Sequence, residues 1–338
     1  MGLRWGLAVV VCVTMVSGVW AQNGKENGVL VVVEKGAMSL GIVDPVSGRL
    51  VASVPEGGKT GHEVAVSPDG RYAYVPIYGD SGVGKPGTDG QRLVVIDIAA
   101  QAVVGSLEFG HGVRPHLPVL GKDGRLYVTT ELDHSVTVVD LGADFKTLKI
   151  VGSIPTGQAE SHMLALSHDG RLGYTANVGP GTVSVLDLEA QKTLAVIPVG
   201  APTQRIAVSM DDKWVFTADQ TKPQMIVIDT ATNQVARWIP LPSIGFGSSP
   251  TLDGRWLVVT LAGANKLAVI DLKTMQVVRT LEVPAAPQAV LMRPDGQRAY
   301  VSCDETGQVA EIDLTNWTVA RLIKTGSLSD GMAWAAGQ

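Results

Sequence analysis

The sequence has few of the cysteines that cross-link small folds and, beyond its N-terminal segment, lacks the long apolar runs that build membrane spans. Its 338 residues include two cysteines, and aromatic side chains make up 5%. Cys12 lies near the N-terminus, in a segment that we expect to be removed, so Cys303 has no partner for an intrachain disulfide. Beyond that segment, no apolar run approaches the roughly 20 residues that a membrane helix needs. Stability must therefore come from a large packed core.

Positive charge and recognisable catalytic motifs are scarce as well. The formal net charge of -5 argues against a nucleic-acid partner, because nucleic-acid binding requires a basic face. The sequence has no Gly-x-Ser-x-Gly nucleophile elbow, no Cys-x-x-Cys-His haem-attachment motif and no dinucleotide fingerprint. These absences leave open whether the protein is an enzyme.

The N-terminus has the pattern of a secretory signal peptide. Arg4 supplies a positive charge, residues 7–16 are apolar, and the small-residue pattern of a cleavage site ends at Ala21. We expect residues 1–21 to be removed and residues 22–338 to form a periplasmic or secreted protein. No membrane span is expected after cleavage.

An internal repeat dominates the rest of the chain. Asp-Gly turns recur between β-rich runs, and they favour tight hairpins because glycine accepts a positive φ. An apolar strand that ends in aspartate occurs seven times, at Asp44, Asp97, Asp140, Asp187, Asp229, Asp271 and Asp313. Four short strands in each unit of about 40 to 45 residues are typical of propellers. The sequence therefore predicts an all-β, seven-bladed β-propeller with strands A to D in each blade.

The two ends of the repeat predict how the ring closes. The mature chain opens with strands B, C and D at Val29–Glu34, Leu40–Asp44 and Leu50–Pro55, and it finishes with an A-like strand around Asp330–Trp334. Pairing the last strand with the first three would cover edges that otherwise promote aggregation. We expect one monomeric propeller domain over residues 22–338.

Tyr-Val-Thr-like strands follow the turns, as at Tyr127–Thr130, Tyr174–Asn177 and Tyr300–Ser302. With the repeats, they make the chain resemble the YVTN-repeat β-propeller family, including YncE-like periplasmic proteins, over its mature length. The resemblance extends to the haem-domain propeller of cytochrome-type nitrite reductase, the large chain of quinoprotein amine dehydrogenases, surface-layer proteins and propeller lactonases. Because these relatives are binders, enzymes and structural proteins, the resemblance implies a fold and leaves the function open.

Histidines recur at the predicted start of strand A, which lines the central channel of a propeller. Three adjacent blades have His62, His116 and His162 at this position. The following blades have Gln204, Phe246, Gln288 and Asp330 there. The histidines are therefore expected at one end of the channel, on the face where propellers usually bind ligands.

Three chemical interpretations of these histidines stay open. Three neutral imidazoles with an open position suit zinc or copper, with His111 and His134 as auxiliary ligands from loops on the same face. The second interpretation is a metal-free pocket for a small molecule or a protein partner, and the third is a solvated channel without a ligand. The candidate ligand-binding residues are His62, His116, His162, Gln204, Arg205, Glu160, Arg114, Glu63 and Asp330.

One blade carries an insertion beside the histidines. The segment from His62 to Asp97 is longer than the equivalent segment from His162 to Asp187, and the surplus lies in the glycine-rich loop of residues 78–91. A loop in this place suits a lid or a partner contact, and a tolerated insertion is the alternative.

Three functions follow from these features. The first is a binding or scaffold protein with a ligand or metal site at the top of the channel. The second is an enzyme: either a lactonase-type hydrolase or cyclase that uses a channel-mouth histidine with Glu160 or Arg205, or a metal-dependent oxidoreductase. The third is a surface-layer or adhesive module.

Overall fold

The computed structural model describes residues 28–337, so the predicted signal peptide lies outside the described residues. The strands of this range, numbered β1 to β28 in chain order, form seven antiparallel four-stranded sheets. Two short 3-10 turns, Glu131–Asp133 and Ala262–Ala264, are the helical elements of the described chain. The predicted all-β, seven-bladed propeller is confirmed.

Each blade is one sheet whose strands run from the innermost strand A to the outermost strand D. Blade 1 contains, from inside to outside, β28 (Ser329–Ala336), β1 (Gly28–Glu34), β2 (Ser39–Asp44) and β3 (Arg49–Pro55). Blades 2 to 4 contain β4 (Ala65–Val66), β5 (Tyr72–Gly79), β6 (Asp89–Asp97), β7 (Ala102–Glu108), β8 (Pro115–Leu120), β9 (Leu126–Thr130), β10 (Ser135–Asp140), β11 (Lys149–Pro155), β12 (Ser161–Leu166), β13 (Leu172–Asn177), β14 (Thr182–Asp187) and β15 (Lys192–Pro198). Blades 5 to 7 contain β16 (Ile206–Val208), β17 (Trp214–Ala218), β18 (Gln224–Asp229), β19 (Gln234–Pro240), β20 (Ser248–Pro250), β21 (Trp256–Leu261), β22 (Lys266–Asp271), β23 (Gln276–Glu282), β24 (Pro287–Met292), β25 (Arg298–Cys303), β26 (Gln308–Asp313) and β27 (Thr318–Lys324).

The ring closes as the repeat predicts. Strand β28 pairs antiparallel with β1, with Val29 opposite Ala335 and Val31 opposite Ala333. The last strand of the chain thereby completes the first blade, so the sheet edges at the two ends of the repeat are paired with each other.

The core lies between neighbouring blades. The middle strands are buried over most of their length, as in β5 and β10, because each is covered by a blade on either side. Outer strands such as β15 alternate between exposed residues and half-buried or buried ones. Between blades 1 and 2, Val33 and Ile42 pack with Val75 and Val94 in one cluster. Each such aliphatic side chain stabilises the fold by about 1.5–3 kcal/mol when fully buried.

The strand-ending aspartates cap the turn into the outer strand. Asp44 Oδ1 accepts a hydrogen bond from the backbone N–H of Val46 at 2.9 Å. Equivalent bonds, to a backbone N–H two or three residues ahead, are made by Asp97, Asp140, Asp187, Asp229, Asp271 and Asp313. The recurrence of aspartate at the end of these strands is therefore explained by the hydrogen bonds that it accepts in the following turn.

No helix within residues 28–337 has the length and apolar character that a membrane span requires.

Candidate functional site

The starts of the inner strands converge on a cavity of about 170 Å³ at the mouth of the channel. His116 and His162 lie within β8 and β12, whereas His62 precedes the short β4. The candidate residues from the sequence that line this cavity are His62, His116, His162, Gln204, Arg205 and Asp330. We call it the channel-mouth cavity. The repeat register thus brings the three predicted histidines together.

The three imidazoles pack against each other instead of converging on one point. The ring centroids of His116 and His162 are 3.7 Å apart at an interplanar angle of 33°, and those of His62 and His116 are 5.3 Å apart in an edge arrangement. Imidazole lone pairs lie in the ring plane, so nearly stacked rings do not direct their nitrogens to a shared ion. Among residues 28–337, no three or more His, Cys, Asp or Glu side chains form a group that could hold a metal ion. This geometry does not support the predicted zinc or copper site.

Two of the three imidazoles are neutral because they are buried. Burial lowers the pKa of His62 to about 4, against the opposing effect of the Asp330 carboxylate. Burial also lowers the pKa of His116 well below its usual value, and the neighbouring His162 and His62 act in the same direction. Neutral rings can each donate one hydrogen bond and accept another.

The opposite wall of the cavity carries a buried network of charges. Arg205 Nη2 lies 2.7 Å from Asp330 Oδ1 and 2.9 Å from Glu63 Oε1. Lys35 Nζ lies 3.1 Å from Asp330 Oδ2 and 3.6 Å from Asp304 Oδ2. Burial alone would raise the pKa of Asp330, but the cations of Arg205 and Lys35 outweigh it and leave that pKa lowered. The two cations of this wall are therefore already paired with carboxylates.

Sequence reasoning missed a buried carboxylate behind the imidazoles. Glu131 is 1% exposed, and its Oε2 accepts the Tyr78 hydroxyl at 2.7 Å and lies 3.2 Å from His162 Nδ1. Burial would raise the pKa of Glu131, but the hydrogen bonds and charge of its partners leave it lowered. Glu131 directly follows strand β9, and no motif in the sequence distinguishes it. Lys35, Tyr78 and Met163 also line the cavity, and the sequence did not single them out.

The inserted loop lies over the channel-mouth cavity. We call residues 80–88, between β5 and β6, the lid, and Gly82 and Val83 of the lid line the cavity. Arg114 holds the lid from beneath: its Nη2 donates to the Lys85 carbonyl at 2.8 Å and its Nη1 to the Gly82 carbonyl at 3.3 Å. Its Nε donates to Asp89 Oδ1 at 2.6 Å.

Three candidate residues lie near the cavity but outside its lining. Glu63 sits behind Arg205, and Arg114 sits beneath the lid. Glu160 accepts the N–H of Gly179 at 2.7 Å and lines a second cavity, of about 310 Å³, on the other side of the lid.

The two proposed auxiliary histidines do not reach the imidazole cluster. His134 lines the second cavity instead of the first. His111 Nε2 lies 2.8 Å from Asp133 Oδ1, and its side chain is 63% exposed. Both histidines lie in exposed positions of their loops, away from the imidazole cluster.

Seven blades around a channel, with a lidded polar cavity at its mouth, define a β-propeller with a channel-mouth site. Residues 120–247 match the model of the cytochrome D1 heme domain family. No curated protein matches the chain. The family match and the fold are consistent with the nitrite reductase haem-domain-like propeller superfamily, as the repeats predict.

Solved structures repeat this architecture at low sequence identity. Hydrazine synthase of Kuenenia stuttgartiensis is 18% identical with a TM-score of 0.68, covering 82% of this chain and 90% of that one. The dihydro-heme d1 dehydrogenase NirN, in complex with DHE, is 16% identical with a TM-score of 0.64, covering 90% and 74%. A functionally unknown protein from Desulfotomaculum acetoxidans is 13% identical with a TM-score of 0.74, covering 92% and 100%. These likenesses show a shared fold.

A haem is the group that the matching family implies, and its fit can be tested on the channel-mouth cavity. Neutral imidazoles are suitable donors for haem iron. However, the cavity measures about 170 Å³, and pockets for drug-sized ligands span roughly 300–1,000 Å³. A haem therefore does not fit the site in this arrangement.

Proposed function

We propose that the protein is an exported binding protein that holds one small polar molecule in the channel-mouth cavity, beneath the lid. The observation that carries this proposal is His116 Nδ1, which is buried and has no hydrogen-bond partner among residues 28–337. Buried polar atoms are normally hydrogen-bonded, and His116 belongs to the lining of the cavity, so this unpaired nitrogen favours a partner that binds there. A bound molecule that donates to or accepts from this ring would supply it.

The size and charge of the cavity restrict the ligand. Its volume of about 170 Å³ lies below the roughly 300–1,000 Å³ of pockets for drug-sized ligands. Arg205 and Lys35 are paired with Asp330 and its neighbours, so they offer directed hydrogen bonds with little uncompensated charge. These features favour a neutral or singly charged polar molecule over a highly charged anion.

Thermal denaturation with a panel of small polar metabolites tests the binding proposal. At a hundredfold excess over its Kd, a true ligand stabilises the folded state by about 2.7 kcal/mol and raises the Tm measurably. We expect His116→Phe, which keeps a ring and removes the nitrogens, to abolish that rise. His111→Phe, at an exposed histidine of the same face, is the matched control and should retain it. A rise that survives in His116→Phe would contradict the proposal.

The lid gives a second, ligand-independent prediction. Arg114→Ala removes the donors to the Gly82 and Lys85 carbonyls and the ion pair with Asp89, so backbone amides of residues 80–88 should exchange faster by tenfold or more. Hydrogen–deuterium exchange followed by mass spectrometry measures this.

Lys59→Ala is the control for the lid prediction. Lys59 also pairs with the lid, at 3.4 Å from Asp80, but its side chain is 67% exposed. An exposed pair contributes little, so exchange in the lid should change less than threefold. Equal exchange in the wild type and Arg114→Ala would show that Arg114 does not hold the lid.

Export rests on the first 21 residues and is tested separately. N-terminal sequencing of the protein recovered from the periplasm or medium should begin at Gln22. A protein that keeps Met1 and stays in the cytoplasm would overturn this part of the proposal.

A further inference from the structure

The pairing of Glu131 with His162 is more specific than ligand binding requires. His162 lines the channel-mouth cavity, and its Nδ1 lies 3.2 Å from Glu131 Oε2. A carboxylate on Nδ1 fixes the orientation and tautomer of an imidazole and stabilises the imidazolium that forms when the other nitrogen takes a proton. Nε2 is then the nitrogen available to a molecule in the cavity.

The surroundings select His162 among the three imidazoles as the proton acceptor. His62 and His116 are held neutral by burial, whereas His162 Nδ1 has the Glu131 carboxylate at 3.2 Å. The His116 ring lies 3.7 Å from the His162 ring. Protonation of one of these two rings therefore disfavours protonation of the other. Glu131 is itself held by the Tyr78 hydroxyl at 2.7 Å and faces the Arg114 guanidinium, whose Nη1 lies 3.5 Å from its Oε1, so the carboxylate that contacts His162 is fixed in place.

A fixed positive charge borders the same cavity. Arg205 contacts Glu63 and Asp330 through Nη2. A guanidinium has five N–H donors, so Arg205 keeps further donors for a molecule in the cavity that Arg205 lines. The guanidinium carbon lies 5.1 Å from the centre of the Phe246 ring, which supports it from the side. Preorganised donors of this kind stabilise negative charge that develops on a carbonyl oxygen.

We propose that His162, positioned by Glu131, is the general base of a hydrolytic site for a small carboxylic ester, with Arg205 facing the carbonyl oxygen. This inference rests on the proposed function, because it uses the same cavity. Water attacks the carbonyl carbon while His162 Nε2 takes its proton, and the C=O electron pair moves to the oxygen beside Arg205. The tetrahedral intermediate collapses, the bond to the alcohol oxygen breaks, and that oxygen takes the proton back from His162. Ester and water become acid and alcohol, with no other reactant.

Hydrolysis of 4-nitrophenyl acetate by the mature protein tests the inference. We expect His162→Ala and His162→Gln to lower kcat/KM by 100-fold or more, within the usual range for a general base. The glutamine variant keeps a side chain that can bond Glu131, so it separates loss of the base from loss of folding. His111→Ala is the matched control because His111 forms an exposed imidazole–carboxylate pair with Asp133. It should retain wild-type activity.

Glu131 acts as a positioning residue, and its variants need a different measurement. Glu131→Gln removes the charge that stabilises the imidazolium, so the rising limb of the pH–rate profile should move to lower pH while the maximal rate falls about tenfold. Glu131→Asp keeps the charge and should restore part of the rate.

Two results with the variants would overturn the inference. One is wild-type hydrolysis in folded His162→Gln, and the other is an equal loss in His111→Ala, which would assign the activity to surface imidazoles. If thermal shifts identify a ligand but the wild type does not hydrolyse the ester, this inference fails and the proposed binding function stands. If neither binding nor hydrolysis is found, both fail.

Discussion

Replacing Arg205 by methionine is expected to lower the free energy of unfolding by about 3–5 kcal/mol, the range for removing one partner of a buried ion pair. Methionine fills much of the same volume but removes the guanidinium that lies 2.7 Å from Asp330 and 2.9 Å from Glu63, leaving Asp330 paired with Lys35 at 3.1 Å. Burial raises the pKa of Glu63 to about 7, so the charge that loses its partner at pH 7 is chiefly that of Asp330. Both carboxylates are almost fully buried, so water cannot replace the lost partner. Urea denaturation at pH 7 measures the change.

The pH dependence and a surface control sharpen this test. The lowered pKa of Asp330 gives the wild type stability that is present above the unfolded pKa and is lost as the pH falls, so the variant's deficit should shrink in acid. Arg125→Met breaks an exposed pair with Asp123, at 3.9 Å, and should cost less than about 1 kcal/mol. Similar losses in the two variants would show that the buried network does not stabilise the fold.

The architecture was predictable because its markers act locally. Each strand-ending aspartate bonds to a backbone N–H two or three residues ahead, as Asp44 does to Val46, so the signal and its structural effect lie in the same short segment. Repetition around the ring then fixes the number of blades and the pairing of β28 with β1. The meeting of His62, His116 and His162 also follows from this register, since equivalent positions of adjacent blades are neighbours around the channel.

The chemistry of the site was less predictable because its partners come from positions that the repeat does not copy. Glu131 reaches His162 from the loop after a strand of the preceding blade. Lys35, directly after β1, reaches Asp330 of β28, the neighbouring strand that closes the ring within blade 1. These contacts depend on side-chain packing, and they distinguish His162, which contacts a carboxylate, from the other two aligned histidines.

The insertion and its place beside the histidines were predictable from the sequence, with a lid as one interpretation, but the contacts that hold it were not. Arg114, the residue that holds the lid, has a positive φ of 49°, which turns its side chain beneath residues 80–88. From the sequence, Arg114 was a candidate ligand contact two residues before His116. In the structure it contacts the lid instead, so the lid and the cavity are coupled through a residue outside the lining.

A second departure from the repeat places a carboxyl group where two other blades have a pair of bonded hydroxyls. In those blades Thr156 bonds with Ser161 at 2.7 Å, and Thr325 bonds with Ser329 at 2.6 Å. Glu56 and Gly61 occupy the equivalent positions. Glu56 Oε2 accepts the Gly61 N–H at 2.8 Å, and Oε1 has no partner in the described part of the chain. The side chain is 1% exposed, so its charged form is poorly solvated.

Glu56→Gln is therefore expected to stabilise the protein at alkaline pH and to flatten its pH dependence. Burial raises the pKa of Glu56 to about 7, against the Gly61 hydrogen bond, and Glu34 adds to the rise. Because the folded pKa lies above the unfolded value of 4.5, stability is full below that value and is lost as the pH rises through about 7. The loss amounts to about 3 kcal/mol above pH 8.

Urea denaturation at pH 4 and pH 8 measures this effect. The free energy of unfolding of Glu56→Gln should exceed that of the wild type by about 2–3 kcal/mol at pH 8 alone, whereas Glu108→Gln, at an exposed position, should show no gain. A gain of equal size at both pH values would mean that the amide improves packing and that ionisation of Glu56 does not limit stability.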